Sequence, residues 1–174
     1  MKNEILCGSA CVRYILNHYS ISEEKLNQNL FWVPEIALYL YKYFSKGIKI
    51  YCFNSTLNSE YKKANNIDAC DGFIYIRILE EKGLHIFERK LTEKELLKEL
   101  KEYEFMIVSV SSAILNNDKQ LSGNHYVILR LKNEKIEMIN PQKEKYEISD
   151  VDPQFIIQCC ENCGSWRILL KKEE

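Results

Sequence analysis

Three histidines, three prolines and six glycines are all that this 174-residue chain holds of the types that shuttle protons near neutrality, stop helices and turn the backbone freely. Histidine is the side chain whose unperturbed charge changes between pH 5 and 8, so acid–base chemistry near neutrality has three candidates, His18, His85 and His125. An excess of one charge is missing: 24 basic residues face 25 acidic ones for a formal net charge of -1. That balance argues against a nucleic-acid partner or an anionic membrane surface. No apolar run approaches the roughly 20 residues of a membrane helix. Lys2 and Glu4 place charges ahead of Cys7 where a secretion or lipoprotein signal would be apolar. The expected location is cytoplasmic. There is no phosphate-binding glycine loop, no repeat, no low-complexity stretch and no clear linker. One domain spanning residues 1–174 is therefore expected, long enough to bury a sizeable core. The seven cysteines are unevenly spaced and odd in number, which fits reduced thiols and not a disulfide framework.

What the chain does contain is a helix-rich beginning and a strand-rich end. Leu6-Cys7-Gly8-Ser9-Ala10-Cys11-Val12-Arg13-Tyr14-Ile15-Leu16 reads as a loop delivering Cys7 to the first turn of a buried helix that runs to about His18. A polar connection over 20–29 follows. Pro34, with apolar residues at 36, 37, 40, 41 and 44, predicts a second helix, ended by Gly47, and Ile48 to Phe53 alternates as a short strand. Residues 54–66 are polar and irregular. The stretch Phe73 to Leu79 fits a strand or a buried helix equally well on pattern. A strand is expected over 84–89. Thr92 with Glu95 three residues on is a capping box opening an amphipathic helix to about Glu102. Three strands are then predicted, Phe105 to Val110, His125 to Leu131 and Lys135 to Ile139, the last two joined by the turn Lys132-Asn133-Glu134 and the last one ended by Asn140-Pro141. A helix from Asp150 to Cys160 and a strand from Trp166 to Leu170 complete an α+β fold.

A thiol at a helix N-terminus meets unpaired N–H groups and a partial positive charge, loses its proton more easily, and becomes the nucleophilic thiolate. That makes Cys7 the candidate nucleophile. His18 lies about three turns along the same helix, out of reach. His125 opens a strand directly after Gly123-Asn124, and Asn140 ends the neighbouring strand of the same hairpin, so the topology brings the two together. An asparagine oxygen can hold one imidazole nitrogen and leave the other for the thiol. Cys7, His125 and Asn140 are thus the expected catalytic residues, in the arrangement used by cysteine hydrolases. Taken singly, each is an ordinary buried thiol, strand-end histidine or turn asparagine.

With the order Cys7, His125, Asn140 in place, the chain resembles the papain-like peptidases that process double-glycine leader peptides. The match lies in Cys7-Gly8-Ser9-Ala10-Cys11, in His125-Tyr126-Val127-Ile128-Leu129, and in Asn140-Pro141 where those enzymes carry Asp-Pro. It resembles more closely the eukaryotic guanylyl cyclase domain-containing proteins, which share a papain-like fold. Their Trp-Thr-x-Asp-Leu-Ala-Tyr-Leu is similar to Trp32 through Leu40, their Ser-Gly-Val-Leu to Ser112-Ala113-Ile114-Leu115, and their Gly-His-Phe-Ile-Val-Leu-Arg…Asn-Pro to Asn124 through Arg130 and Asn140-Pro141. The resemblance implies a papain-like fold, with N-terminal helices carrying the nucleophile and a C-terminal antiparallel sheet, and it implies a helix over 73–81. It implies a peptidase or thiol acyl-transfer enzyme acting on a peptide or protein, without cofactor or metal. The family's name implies guanylyl cyclase activity as one alternative, and a papain-like binding module without catalysis is another.

One position departs from those families. They carry a glutamine six residues before the nucleophile as an oxyanion-hole donor, and an aspartate just before it. Here the positions hold Met1 and Leu6. The backbone N–H of Cys7 and the side chain of Asn3 are the remaining candidate donors. The Cys-x-x-Cys pair within Cys159-Cys160-Glu161-Asn162-Cys163 has no second pair to complete a zinc site and no βαβ setting for redox work, so ordinary thiols are expected there. Cys11 is expected to pack.

Overall fold

The computed structural model describes residues 7–22, 30, 32–53, 69–121, 123–142, 145–161 and 163–171. Helix α1 spans Cys7–His18 and α2 Val33–Tyr41, followed by strand β1, Ile48–Cys52, and helix α3, Ala69–Glu81. Then come β2 (Ile86–Glu88), α4 (Glu93–Glu102), β3 (Phe105–Ser111) and the single helical turn α5 (Ser112–Leu115). The chain finishes with β4 (Asn124–Lys132), β5 (Lys135–Gln142), β6 (Lys145–Val151), α6 (Pro153–Glu161) and β7 (Arg167–Leu170).

Local chemistry accounts for most of these boundaries. The backbone N–H of Trp32 donates to Glu35 Oε2 at 3.4 Å and Pro34 occupies the first turn, which together start α2. Thr92 caps α4, its hydroxyl accepting from the Glu95 N–H at 3.3 Å. Asn133 and Glu134 both have positive φ, 50° and 62°, and form a two-residue turn of the primed type closed by Lys132↔Lys135. The hairpin loop is thus one residue shorter than its sequence suggests. The segment around 73–81, ambiguous by pattern, is helical.

The seven strands form one mixed sheet in the order β2-β1-β7-β3-β4-β5-β6. Among the described strands only the β1–β2 pair is parallel. The expected division into early helices and a late antiparallel sheet is therefore corrected: β1 and β2 join the sheet, and β7 inserts between β1 and β3. Strand β3 is apolar on both sides because both sides are covered. Phe105 and Ile107 point into a cluster built with α1 and α2, whereas Met106, Val108 and Val110 point into one built with α4 and α6. Full burial of each such side chain stabilises by about 1.5–3 kcal/mol.

Two further corrections fall near the C-terminus. Pro141 does not end β5, which continues to Gln142 and pairs Pro141 with Tyr146. The β4–β5 ladder already stops at Ile128↔Ile139, so a residue without an N–H interrupts nothing there. The segment 145–151 is strand β6, with Tyr146 and Ile148 alternating with charged residues, and the last helix starts at Pro153, not Asp150. Of the earlier expectations, 54–66 and most of 20–29 lie outside the described residues. Among the described residues no helix is long and apolar enough to cross a membrane.

Candidate active site

The described span of helix α1 starts at Cys7, and among the described residues no acidic side chain lies in its first turn. The helix start is held on several sides. Ser9, fully buried, accepts the Leu30 N–H on its hydroxyl at 3.4 Å. Tyr146 of β6 donates its hydroxyl to the Ala10 carbonyl at 3.0 Å and packs edge-on against Tyr14. Cys11, one turn beyond Cys7, donates its thiol to the Tyr126 carbonyl at 3.6 Å.

Gly123, at φ 96°, turns the chain into β4 in a backbone conformation that a residue with a Cβ rarely adopts. His125 follows, in register with Val110 of β3, and Asn140 lies in β5 opposite Glu147 of β6. The His125 Nε2–H donates to Asn140 Oδ1 at 2.7 Å. An amide oxygen only accepts, so Nε2 carries a proton and Nδ1 is left for the hydrogen bond with Cys7.

Burial alone would push the Cys7 thiol up. The hydrogen bond and charge of His125, with the backbone N–H groups of Tyr126 and Gly8, outweigh it and hold the thiol below its ordinary value of 9.0. Burial likewise disfavours the charged His125, but Cys7, through hydrogen bond and charge, and Asn140 raise the imidazole above its ordinary 6.5. The two shifts share a cause, since each group favours the charged form of the other. Cys11, Cys52, Cys159, Cys160 and Cys163 move the opposite way. Burial pushes Cys11 well above 9.0, lifts Cys52 and Cys159 to about 11, and raises Cys160 further still. Cys163 also rises to about 11 through burial, although a hydrogen bond with Ser109 pulls the other way.

No protein-family model matches the chain, and no curated protein sequence matches it.

Of the residues expected to act, Cys7, His125 and Asn140 come together at one place. Asn3, Met1 and Leu6 lie outside the described residues, which leaves the Cys7 N–H as the described member of the expected oxyanion pair. His18 sits at the far end of α1, where its Nε2 is 3.1 Å from Glu104 Oε1. Cys159, Cys160 and Cys163 are buried, and the Cys163 thiol donates to Asn124 Oδ1 at 3.2 Å and to the Cys159 carbonyl at 3.6 Å. Among the described residues no group of three or more His, Cys, Asp or Glu side chains is placed to hold a metal. Two contributors escaped the sequence reading: the backbone of Tyr126, and Tyr146. The apolar–polar alternation at 146–149 was the available signal for the strand that carries Tyr146.

Proposed function

We propose that this chain is a papain-like cysteine hydrolase, a peptidase or thiol acyl-transfer enzyme acting on a peptide or protein carbonyl. The observation that carries the reading is the 2.7 Å bond from His125 Nε2 to Asn140 Oδ1, which turns the other imidazole nitrogen to a thiol at a helix N-terminus. The Cys7 thiolate attacks the carbonyl carbon, and the Cys7 N–H is the donor assigned to the developing oxyanion. His125, protonated in the ion pair, gives its proton to the leaving amine or alkoxide as the tetrahedral adduct collapses to a thioester. It then takes a proton from the water or acceptor amine that attacks the thioester, and the acyl group leaves as Cys7 is regenerated. Asn140 keeps the imidazole in the tautomer and orientation both steps require. The resemblance of the Cys7, His125 and Asn140 segments to papain-like proteins supports the same assignment.

The test is the pH dependence of Cys7 alkylation by a small electrophile, read by mass spectrometry in the parent and in His125→Ala. The expected result is fast alkylation of Cys7 well below pH 9.0, with that advantage lost in the variant. A Cys7 that behaves alike in both proteins, with the profile of an ordinary thiol, overturns the reading and leaves a binding module.

A further inference from the structure

On its β5 side, the ladder of the strand that carries His125 ends short of Tyr126, the residue that follows it. The Ser109 N–H donates to the Trp166 carbonyl at 3.0 Å, so Ser109 turns its peptide groups toward β7. In an antiparallel ladder the N–H and C=O of one residue point to the same side. Ser109 and its register partner Tyr126 therefore face away from each other, and the peptide groups of Tyr126 point toward the β5 side. There the β4–β5 register has already ended, at Ile128↔Ile139. Helix α1 fills the gap. Tyr126 N–H donates to the Cys7 sulfur, and Tyr126 C=O accepts from the Cys11 thiol at 3.6 Å. Cysteines four residues apart lie on one face of a helix, one turn apart, and here they satisfy both polar groups of a single strand residue.

We propose that Cys11 is a positioning residue for the Cys7–His125 pair: its thiol anchors the Tyr126 carbonyl, and so fixes the Tyr126 N–H on the nucleophile and the adjoining His125 in its aim. The inference rests on the proposed hydrolase chemistry. The Tyr126 carbonyl is partly buried, and the thiol, a weak donor, reaches it at 3.6 Å. Burial, reinforced by the neighbouring Cys7, keeps Cys11 protonated, which preserves its role as donor while Cys7 is ionised.

The experiment compares Cys7 alkylation by iodoacetamide across pH in the parent, His125→Ala, Cys11→Ala and Cys11→Ser, with thermal unfolding followed on the same samples. Serine keeps a donor and alanine does not, and both disturb the packing. Both are expected to unfold at lower temperature. The alanine variant alone should move the acid limb of the Cys7 profile upward by roughly one pH unit, a loss on the order of tenfold in rate below the midpoint. If alanine keeps the parent's limb, or if serine and alanine shift it alike, Cys11 only packs and the proposed hydrolase still stands. If the parent shows no His125-dependent limb, the hydrolase reading falls and this inference falls with it. Cys11→Val, which fills the space without a donor, replaces the alanine variant should that fail to fold.

Discussion

The backbone of Gly8 runs so close to the Leu30 carbonyl oxygen that a Cβ built on Gly8 would lie 2.5 Å from it, with Ile36 Cδ1 at 2.9 Å. The residue after the nucleophile is thus set by close approach to another backbone, which cannot swing aside as a side-chain tip would. Gly8→Ala should push the first turn of α1 outward and destabilise the fold by about 1–3 kcal/mol, as overpacking does. The same displacement should carry Cys7 away from His125 and bring its alkylation profile toward that of an ordinary thiol. Thermal unfolding and alkylation together check this. Parent-like values of both would contradict the packing of the helix start.

Asn140→Ala removes the acceptor at 2.7 Å from His125 Nε2 and leaves that N–H unpaired in a largely buried setting. An unmade hydrogen bond of this kind costs about 1–3 kcal/mol, which corresponds to roughly a 5- to 150-fold slower acyl-transfer or alkylation rate at neutral pH. Asn140→Asp keeps the acceptor and adds a negative charge that favours the imidazolium. Its alkaline limb should move to higher pH. A rate profile insensitive to both changes would remove Asn140 from the site.

Helix α1, the capped α4 and the β4–β5 hairpin are legible in the chain because their signals are local: an apolar face at helical spacing, a Thr92–Glu95 box, and two strands joined by a tight turn. The meeting of His125 with Asn140 is legible for the same reason. The sheet order is not. Placing β7 between β1 and β3 pairs Ile168 with both Ile50 and Ile107, and such long-range partners leave no trace in any short window. Pro141 misleads because a proline within β5 is tolerated only where the β4 ladder has stopped, a fact that pattern alone does not carry. The thiol of Cys11 reads as core filling, since its acceptor, the Tyr126 carbonyl, lies 115 residues away.

Far from the triad, Arg167 is fully buried and holds Glu99 with two bonds, Nε to Oε2 at 2.7 Å and Nη2 to Oε1 at 2.8 Å. Its Nη1 donates to the Arg89 and Ser165 carbonyls at 3.1 and 3.3 Å, and the guanidinium lies over the Tyr51 ring, 4.5 Å from its centroid. One side chain thus ties α4, β7 and the β2–α4 connection together. Glu99→Ala leaves the buried cation with only the Glu95 carboxylate, 3.9 Å from Nη2, as counter-charge, and a loss of about 3–5 kcal/mol is expected in denaturant unfolding. The double replacement Glu99→Leu with Arg167→Met should recover part of it, because the buried cation leaves with its main partner and Glu95 keeps Arg89, 3.6 Å away. A double variant worse than Glu99→Ala would show that the carbonyl contacts of Arg167 matter more than its charge.

The six cysteines with free thiols among the described residues should separate sharply with pH. Cys7 lies below 9.0 while Cys52, Cys159 and Cys163 stand at about 11, so near neutrality the thiolate fraction of Cys7 exceeds theirs by at least two orders of magnitude. A limiting electrophile at pH 7 should modify Cys7 ahead of Cys11, Cys52, Cys159, Cys160 and Cys163, as mass spectrometry of the native protein would read. The sign of each limb in hydrolysis follows from which group titrates. Raising the pH through the lowered value of the pair creates the thiolate and the rate climbs. Raising it further, through the elevated value, strips His125 of the proton that the leaving group needs, and the rate falls. The two apparent values belong to the coupled pair and not to either residue. His125→Ala should abolish the descending limb and displace the ascending one toward 9.0, whereas a descending limb that survives the substitution would assign the acid to another group.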